Sequence, residues 1–171
     1  AALDGLSLSG DRFFYGNPLA SNGRHSRREW FGTACCPANI ARLIASLGNY
    51  IYAQSNDGIW INLFAGSNTS ITMPKGNIDV KMETNYPWEG TVKINVSTVK
   101  KIKFNMHLRI PGYVNGIAAP GALYHFADTA SAKPIIKING IAVNYTVEKG
   151  YAVINREWKK DDVVEMTIPM A

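Results

Sequence analysis

The segment 102–112, IKFNMHLRIPG, decides the fold class, because its side chains alternate between apolar and polar. Phe104 and Met106 are interleaved with Asn105 and His107. Successive side chains of a β-strand point to opposite faces of a sheet, so this period predicts a strand with one buried face. The proline and glycine that close the segment predict where the strand ends.

The same period of two recurs after Tyr50 and predicts a series of short strands. Asn56-Asp57-Gly58 and Asn139-Gly140 between them are hairpin-turn signals. Short strands with one apolar face and turns between them are typical of an antiparallel β-sandwich. We therefore predict a mainly β fold with a sandwich domain over 50–171, whose further strands lie at 51–54, 59–64, 78–83, 92–96, 136–138, 143–147, 151–154 and 163–168.

One amphipathic helix precedes the sandwich. Pro37 suits the first helical position, where a missing N–H costs nothing, and Gly48 suits the left-handed position just past the helix end. The apolar face follows the i, i+3, i+4, i+7 rule through Ile40, Leu43, Ile44 and Leu47. A lone helix cannot bury this face by itself, so it either packs on the sandwich or is the last helix of a larger helical domain.

The remainder of the first 49 residues reads as a β lead-in and a loop. Leu6–Leu8 and Arg12–Tyr15 predict two short strands around a turn, closed by Asn17-Pro18, and 21–29 predicts an exposed basic loop. The chain starts without an initiator Met or a signal peptide, which favours the view that 1–49 ends a helical domain that begins upstream.

Composition excludes several functional classes. The chain has 171 residues, 46% hydrophobic and 18% charged, with a net charge of +5 that is spread along its length. This describes a globular protein without a nucleic-acid-binding module. No apolar run approaches the ~18 residues of a membrane span, so we expect neither nucleic acid nor membrane as a partner.

The two cysteines of the chain, Cys35 and Cys36, are adjacent and lie at the helix N-cap or just before it. The helix dipole and free N–H groups there favour thiolate, the form that attacks electrophiles and binds metals. His25 is a conceivable third metal ligand without a paired spacing. The alternative is that both cysteines are small buried side chains at a domain junction, and spacing alone favours that interpretation. A redox module lacks support, because there is no C-x-x-C pattern.

Aromatic, acidic and histidine residues provide weaker candidates. Tryptophans stack on sugars in carbohydrate-binding modules, but packing is the favoured role for each here, and only the one in the 86–90 turn is predicted to be well exposed. Glu29 lies near the cysteines in sequence, and a surface charge is its favoured role. Structural roles are favoured for His107 and His125. The tryptophans are Trp30, Trp60, Trp88 and Trp158.

Several motifs follow one another in order along the chain. They are Phe13-Phe14-Tyr15, Asn17-Pro18-Leu19, Arg28-Glu29-Trp30-Phe31, the segment 34–48, Tyr86-Pro87-Trp88, Leu108-Arg109-Ile110-Pro111-Gly112 and Lys149-Gly150-Tyr151-Ala152. Together they resemble the β-L-arabinofuranosidases of glycoside hydrolase family 127. The Cys-Cys-Pro helix start is the most specific of them, and the resemblance covers essentially the whole chain.

This resemblance implies a fold and a chemistry. Members carry an (α/α)6 barrel followed by β-sandwich domains, and they are retaining, exo-acting glycosidases for β-L-arabinofuranosides of plant glycans or glycoproteins. A glutamate and three cysteines hold a zinc ion, and a separate glutamate is the acid/base. By this resemblance Cys35 is the nucleophile and a zinc ligand, and Cys36 is a second zinc ligand.

The remaining zinc ligands and the acid/base of the family lie upstream of the Cys-Cys pair, and residues 1–34 contain no such segment. The resemblance therefore implies that 1–49 is the end of the catalytic barrel, with the rest of the barrel in the missing N-terminal part of the same chain. The expected partner is a carbohydrate substrate. The competing hypothesis is a non-catalytic β-sandwich module that binds carbohydrate or has a structural role.

Overall fold

The computed structural model describes residues 5–16, 20–119, 121, 123–127 and 132–170. The predicted Asn17-Pro18 turn falls outside these ranges. The chain divides into two compact units, unit 1 over 1–49 and unit 2 over 50–171. No helix in the described part of the chain is long and apolar enough to cross a membrane.

Unit 1 contains helix α1, Cys36–Ser46, which continues as a 3-10 turn over Leu47–Tyr50. Cys35 is the N-cap residue and Pro37 occupies the second helical position, still within the first turn, where no N–H partner is needed. The expectation that Gly48 closes the helix in a left-handed conformation is wrong, because the 3-10 turn runs through it and its φ is not positive.

The predicted β lead-in of unit 1 is present only in part. Within the described residues its pairing is limited to two isolated antiparallel bridges, Leu6 with Phe13 and Phe13 with Arg28, which are supported by backbone hydrogen bonds. Side-chain stacking accompanies this pairing: the His25 ring lies 4.8 Å from the Phe14 ring between centroids, and the Arg27 guanidinium lies 4.5 Å above it.

Unit 2 is the predicted sandwich of two sheets. One sheet has the strand order β1-β2-β6-β10-β9, and the other has the order β3-β4-β5-β11-β7-β8. A short 3-10 helix over Gly112–Asn115 follows β6. The strands are β1 Tyr52–Gln54, β2 Gly58–Ile61, β3 Ser67–Met73, β4 Gly76–Thr84, β5 Thr91–Thr98, β6 Ile102–Arg109, β7 Ile135–Ile138, β8 Ile141–Ala142, β9 Thr146–Glu148, β10 Tyr151–Trp158 and β11 Asp162–Thr167.

The sheets depart from the sequence prediction in three places. Strand β3 was not predicted, because its sequence SNTSITM is polar and buries only Ile71 and Met73. The single strand expected over 143–147 is strand only at its end, in β9, and the residues before it form β8 in the other sheet. The pairing is otherwise antiparallel, but β2 runs parallel to β6. The mainly β class and the sandwich are confirmed.

The core lies between the two sheets and consists of the inward rows of the alternating strands. Met106 and Leu108 of β6 and Ile94 of β5 have no exposed surface. Trp158 is fully buried, with its indole N–H donating to the carbonyl of Phe104 at 3.1 Å. The indole is therefore a core group, which removes it from the sugar-stacking candidates.

A buried carboxylate joins two turns at the end of the six-stranded sheet. Asp162 is fully buried and accepts hydrogen bonds from Asn139 Nδ2 at 2.9 Å and from the Lys159 N–H at 3.0 Å. Asn139, at φ 52°, begins the predicted Asn-Gly hairpin turn, and its Oδ1 accepts from the Val163 N–H at 2.9 Å. These bonds compensate the cost of burying the charge and hold the β7–β8 turn against the β10–β11 turn.

Gly90 offers a test of the sheet geometry. A Cβ on this residue would lie 2.0 Å from the backbone oxygen of Ile168, whose N–H donates to the Gly90 carbonyl at 2.8 Å. We expect Gly90→Ala to destabilise the protein by about 2–4 kcal/mol, because backbone must move to remove the overlap. Thermal unfolding should show a drop in Tm of roughly 5 °C or more.

The matched control is Gly66→Ala, whose added methyl would meet only the Met82 carbonyl at an ordinary 3.9 Å. This variant should unfold within about 0.5 kcal/mol of the parent sequence. Equal stability of the two variants would contradict the described packing of Gly90.

Candidate active site

The candidate site is built around the two cysteines at the start of α1. Both are exposed free thiols, and their Sγ atoms lie 3.6 Å apart. Cys35 is the N-cap residue and Cys36 the first residue of the helix. The structure therefore does not support the interpretation that the pair is buried as two small apolar side chains.

Tyr15 contacts Cys35 from a segment 20 residues earlier. Its Oη lies 3.0 Å from Cys35 Sγ, and its ring packs edge-on against Phe31 at 5.2 Å between centroids. The packing holds the hydroxyl beside the thiol. A phenol hydroxyl in this position donates a hydrogen bond to the sulfur when the sulfur is a thiolate.

The two thiols differ in their acidity. The hydrogen bond with Tyr15, followed by that with Cys36, lowers the pKa of Cys35 below its ordinary value. The hydrogen bond to Cys35 is the largest cause that raises the pKa of Cys36, and desolvation and the charge of Cys35 add to it. The hydrogen bond between Tyr15 and Cys35 also raises the pKa of Tyr15, so the phenol keeps the proton that it donates. We therefore expect Cys35 to carry the larger thiolate fraction of the two.

The backbone of Cys35 is held by the first two turns of α1. The Asn39 N–H and Nδ2 both donate to the Cys35 carbonyl, at 3.0 and 2.9 Å. Arg42 Nη1 in turn donates to Asn39 Oδ1 at 2.9 Å and orients the amide. The i+4 and i+7 spacing of these residues was visible in the sequence, but Asn39 was not recognised as an anchor of the N-cap.

A cavity of about 260 Å³ lies beside the Tyr15 ring. Arg24 and Arg28 give its wall positive charge and many N–H donors. The space suits a polar ligand with several oxygen acceptors. The other residues that line it are His25, Ser26 and Phe31.

The remaining sequence candidates of unit 1 make other contacts. His25 Nε2 bonds the Gly16 carbonyl at 3.0 Å, so the structure does not place it as a third metal ligand. Glu29 accepts from Arg12 Nη2 at 3.3 Å, and both side chains are more than half exposed, which is the predicted surface role. Trp30 is 58% exposed and packs edge-on against Phe13.

In unit 2, Trp60 stacks on His107, and Trp88 is 87% exposed as its turn predicted. His125 is exposed.

The thiol pair fits a zinc ion in part. Zinc–sulfur bonds are about 2.3 Å long, so two thiolates on one tetrahedral ion stand about 3.8 Å apart, close to the separation of the Sγ atoms. Within the described residues no group of three or more His, Cys, Asp or Glu side chains is placed to hold a metal. The separation of the Cys35 and Cys36 sulfurs is therefore compatible with two corners of a tetrahedral zinc site, and the described residues do not complete such a site.

The chain matches two protein-family models, one over each of its units, and it resembles known structures. Residues 1–49 match the GH127 β-L-arabinofuranosidase catalytic domain, and 58–170 match the GH127 β-L-arabinofuranosidase middle domain. A non-reducing end β-L-arabinofuranosidase from Bifidobacterium longum subsp. longum is 35% identical, over 71% of this chain and 22% of that protein.

Two solved structures have the same architecture over 99% of this chain. A GH127 β-arabinofuranosidase is 43% identical with a TM-score of 0.91, and the GH127 β-L-arabinofuranosidase Ara127N-Se from Geobacillus stearothermophilus T6 is 36% identical with a TM-score of 0.80. The chain covers 26% of each of these two proteins, so it spans about a quarter of the length of the relatives it matches.

The difference between the thiols predicts selective alkylation. In the metal-free chain at pH 7, iodoacetamide should modify Cys35 faster than Cys36, because the thiolate is the reactive form and its fraction is larger where the pKa is lower. The rate at Cys35 should also reach its plateau at a lower pH. Tandem mass spectrometry of the peptide that contains both residues measures the two initial rates.

Tyr15→Phe is the matched variant, since it removes one hydroxyl and keeps the ring against Phe31. It should slow the modification of Cys35 by about threefold or more at pH 7 and move its pH profile upward. Equal rates at the two thiols, or no effect of the Tyr15 variant, would contradict the proposed hydrogen bond.

Proposed function

Because the chain belongs to glycoside hydrolase family 127, we propose that its parent protein is a retaining, exo-acting glycosidase that removes β-L-arabinofuranose from plant glycans or glycoproteins. The observation that carries the proposal is Cys35, an exposed N-cap thiol with a lowered pKa, in a segment that matches the catalytic domain of the family. That match also favours a catalytic role over the alternative of a purely non-catalytic sandwich module.

In the proposed first step, Cys35 Sγ attacks the anomeric carbon of the arabinofuranoside. A carbon–sulfur bond forms as the bond from that carbon to the leaving oxygen breaks, and an acid group protonates the leaving oxygen. In the second step, water, deprotonated by the same group, displaces the sulfur and releases the sugar with retained configuration. The acid/base group is expected from a part of the parent protein outside these 171 residues.

The neighbours of Cys35 act as positioning residues in this scheme. Tyr15 hydrogen-bonds the thiolate and so both stabilises it and directs it. Asn39, oriented by Arg42, holds the carbonyl of Cys35 and with it the backbone that carries the nucleophile. A nucleophile held in this way loses less orientational freedom when the substrate arrives, which lowers the barrier to attack.

We also propose that Cys35 and Cys36 are two ligands of a catalytic zinc ion. Zinc bound by them would keep the thiols ionised at neutral pH. The support is the separation of their sulfurs and their exposure at a helix N-terminus. The other ligands are expected from the parent protein. The apolar face of α1 is expected to pack against the parent protein as well, because Leu43, Ile44 and Leu47 are between 38% and 48% exposed.

The nucleophile assignment is tested in the parent protein with Cys35→Ser. The hydroxyl of serine is a much weaker nucleophile and a poor zinc ligand, so kcat/KM on an aryl β-L-arabinofuranoside should fall by roughly 10⁴-fold or more. Glu83→Gln is the control, because its exposed ion pair with Lys81 belongs to unit 2, which contains neither cysteine, and its activity should be unchanged. Substantial turnover by a folded Cys35→Ser variant would remove Cys35 from the nucleophile role.

The metal assignment is tested by zinc content. The parent protein should hold one zinc per chain after dialysis, whereas the 171-residue chain should bind at least about 100-fold more weakly, because two thiolates do not close a tetrahedral site. Cys36→Ser in the parent should lower the zinc content measured by elemental analysis. Zinc retention by that variant, or equally tight binding by the 171-residue chain, would refute the ligand set.

A further inference from the structure

A groove of about 530 Å³ crosses the outer face of the five-stranded sheet. The face carries the alternate side chains of β2, β6 and β10 that point away from the core, and the edge strand β9 forms its far wall. The volume lies within the ~300–1,000 Å³ typical of small-molecule sites. Its lining residues include Asp57, Trp60, Asn105, His107, Glu148 and Asn155.

His107 lines this groove and has an unusual environment for a polar side chain. It is only 9% exposed, stacked on Trp60 at 4.1 Å and 7° and met edge-on by Tyr151 at 6.4 Å. Among the hydrogen bonds of the described residues, none involves its ring nitrogens. The buried, unpartnered side-chain atoms of the described residues do not include these nitrogens, so they reach solvent in the groove and are available to hydrogen-bond a ligand.

The polar groups around His107 define what such a ligand must offer. Asp57 and Glu148 both act electrostatically on its ring, which places two carboxylates at the groove and disfavours an anion. Asn105 and Asn155, bonded to each other, add amide donors and acceptors. Burial lowers the pKa of His107, so its ring is neutral and offers one donor and one acceptor.

Trp60 adds an apolar surface to this polar set. The indole is partly exposed and forms a wall of the groove. Its partner on the neighbouring strand β1 is Ala53, whose small side chain leaves space beside the indole. An apolar ring beside carboxylates and amides matches a molecule with C–H groups on one side and hydroxyls around its edge.

We propose that this groove binds an uncharged carbohydrate, separate from the thiol site. Hydroxyls of the sugar donate to Asp57 and Glu148 and accept from the Asn155 amide and the ring N–H of His107, while C–H groups pack against the exposed part of Trp60 that His107 does not cover. The inference does not rest on the proposed catalysis, because the groove lies within unit 2 and contains neither cysteine. It gives the sandwich a ligand-binding role of its own.

The test is an NMR titration of the ¹⁵N-labelled 171-residue chain. The uncharged probes are methyl β-L-arabinofuranoside, xylotriose and cellotriose, and the charged probes are D-glucosamine and D-glucuronate. At least one uncharged probe should shift the indole N–H signal of Trp60 in a saturable way, while the signal of Trp88 stays unchanged. Failure of all three uncharged probes to do so at roughly 50 mM overturns the proposal.

Variants locate the site. Trp60→Ala should weaken binding at least tenfold. Glu148→Ala should also weaken binding, and it replaces the first variant as the test if that variant does not fold, because Glu148 is exposed on an edge strand and its loss leaves the core intact. Trp88→Ala is the matched control outside the groove and should change affinity less than twofold.

Three results would overturn the proposal: loss of binding in the Trp88 variant alone, tighter binding of D-glucosamine than of every uncharged probe, and tighter binding of D-glucuronate. Since activity is not measured, a negative result leaves the cysteine chemistry untouched.

Discussion

The sandwich depends on the two-residue period of β6, the central strand of the five-stranded sheet. Met106 and Leu108 face the core, so the intervening Asn105 and His107 must face outward. A slip of one residue would exchange the two rows, bury the polar groups and expose the apolar ones. The core and the outer groove are therefore products of one register, and neither can change without the other.

The thiol site of unit 1 depends on a different kind of constraint, an approach between residues far apart in the chain. Tyr15 reaches Cys35 through ring packing against Phe31, whereas the cysteine is fixed by the amide of Asn39 one turn into the helix. Both contacts are made to Cys35, so the two adjacent cysteines have different environments although their side chains are identical. Cys35 becomes the more acidic thiol, and Cys36 is left as a candidate ligand.

The sequence predicted features that depend on short-range periodicity. The alternation in β4, β5 and β6, the Asn139-Gly140 turn and the helix after Cys35 are all present. It did not predict β3, since an edge strand with few buried side chains has little apolar pattern to read.

The contact of Tyr15 with Cys35 could not be predicted from the sequence either, because no local pattern indicates that two residues 20 positions apart come together. Family resemblance pointed to both segments, but their proximity is a product of folding.

The buried Asp162 has a consequence for how this fold diversifies. It ties Asn139 to the turn before β11, and Asn139 in turn binds the Val163 N–H, so the β7–β8 hairpin is anchored at its turn as well as through its ladder with β11. Insertions or deletions in the connection 116–134 should then be absorbed without shifting the hairpin's register. Substitutions at Asn139 and Asp162 are expected to occur together, because each side chain depends on the other for a hydrogen bond.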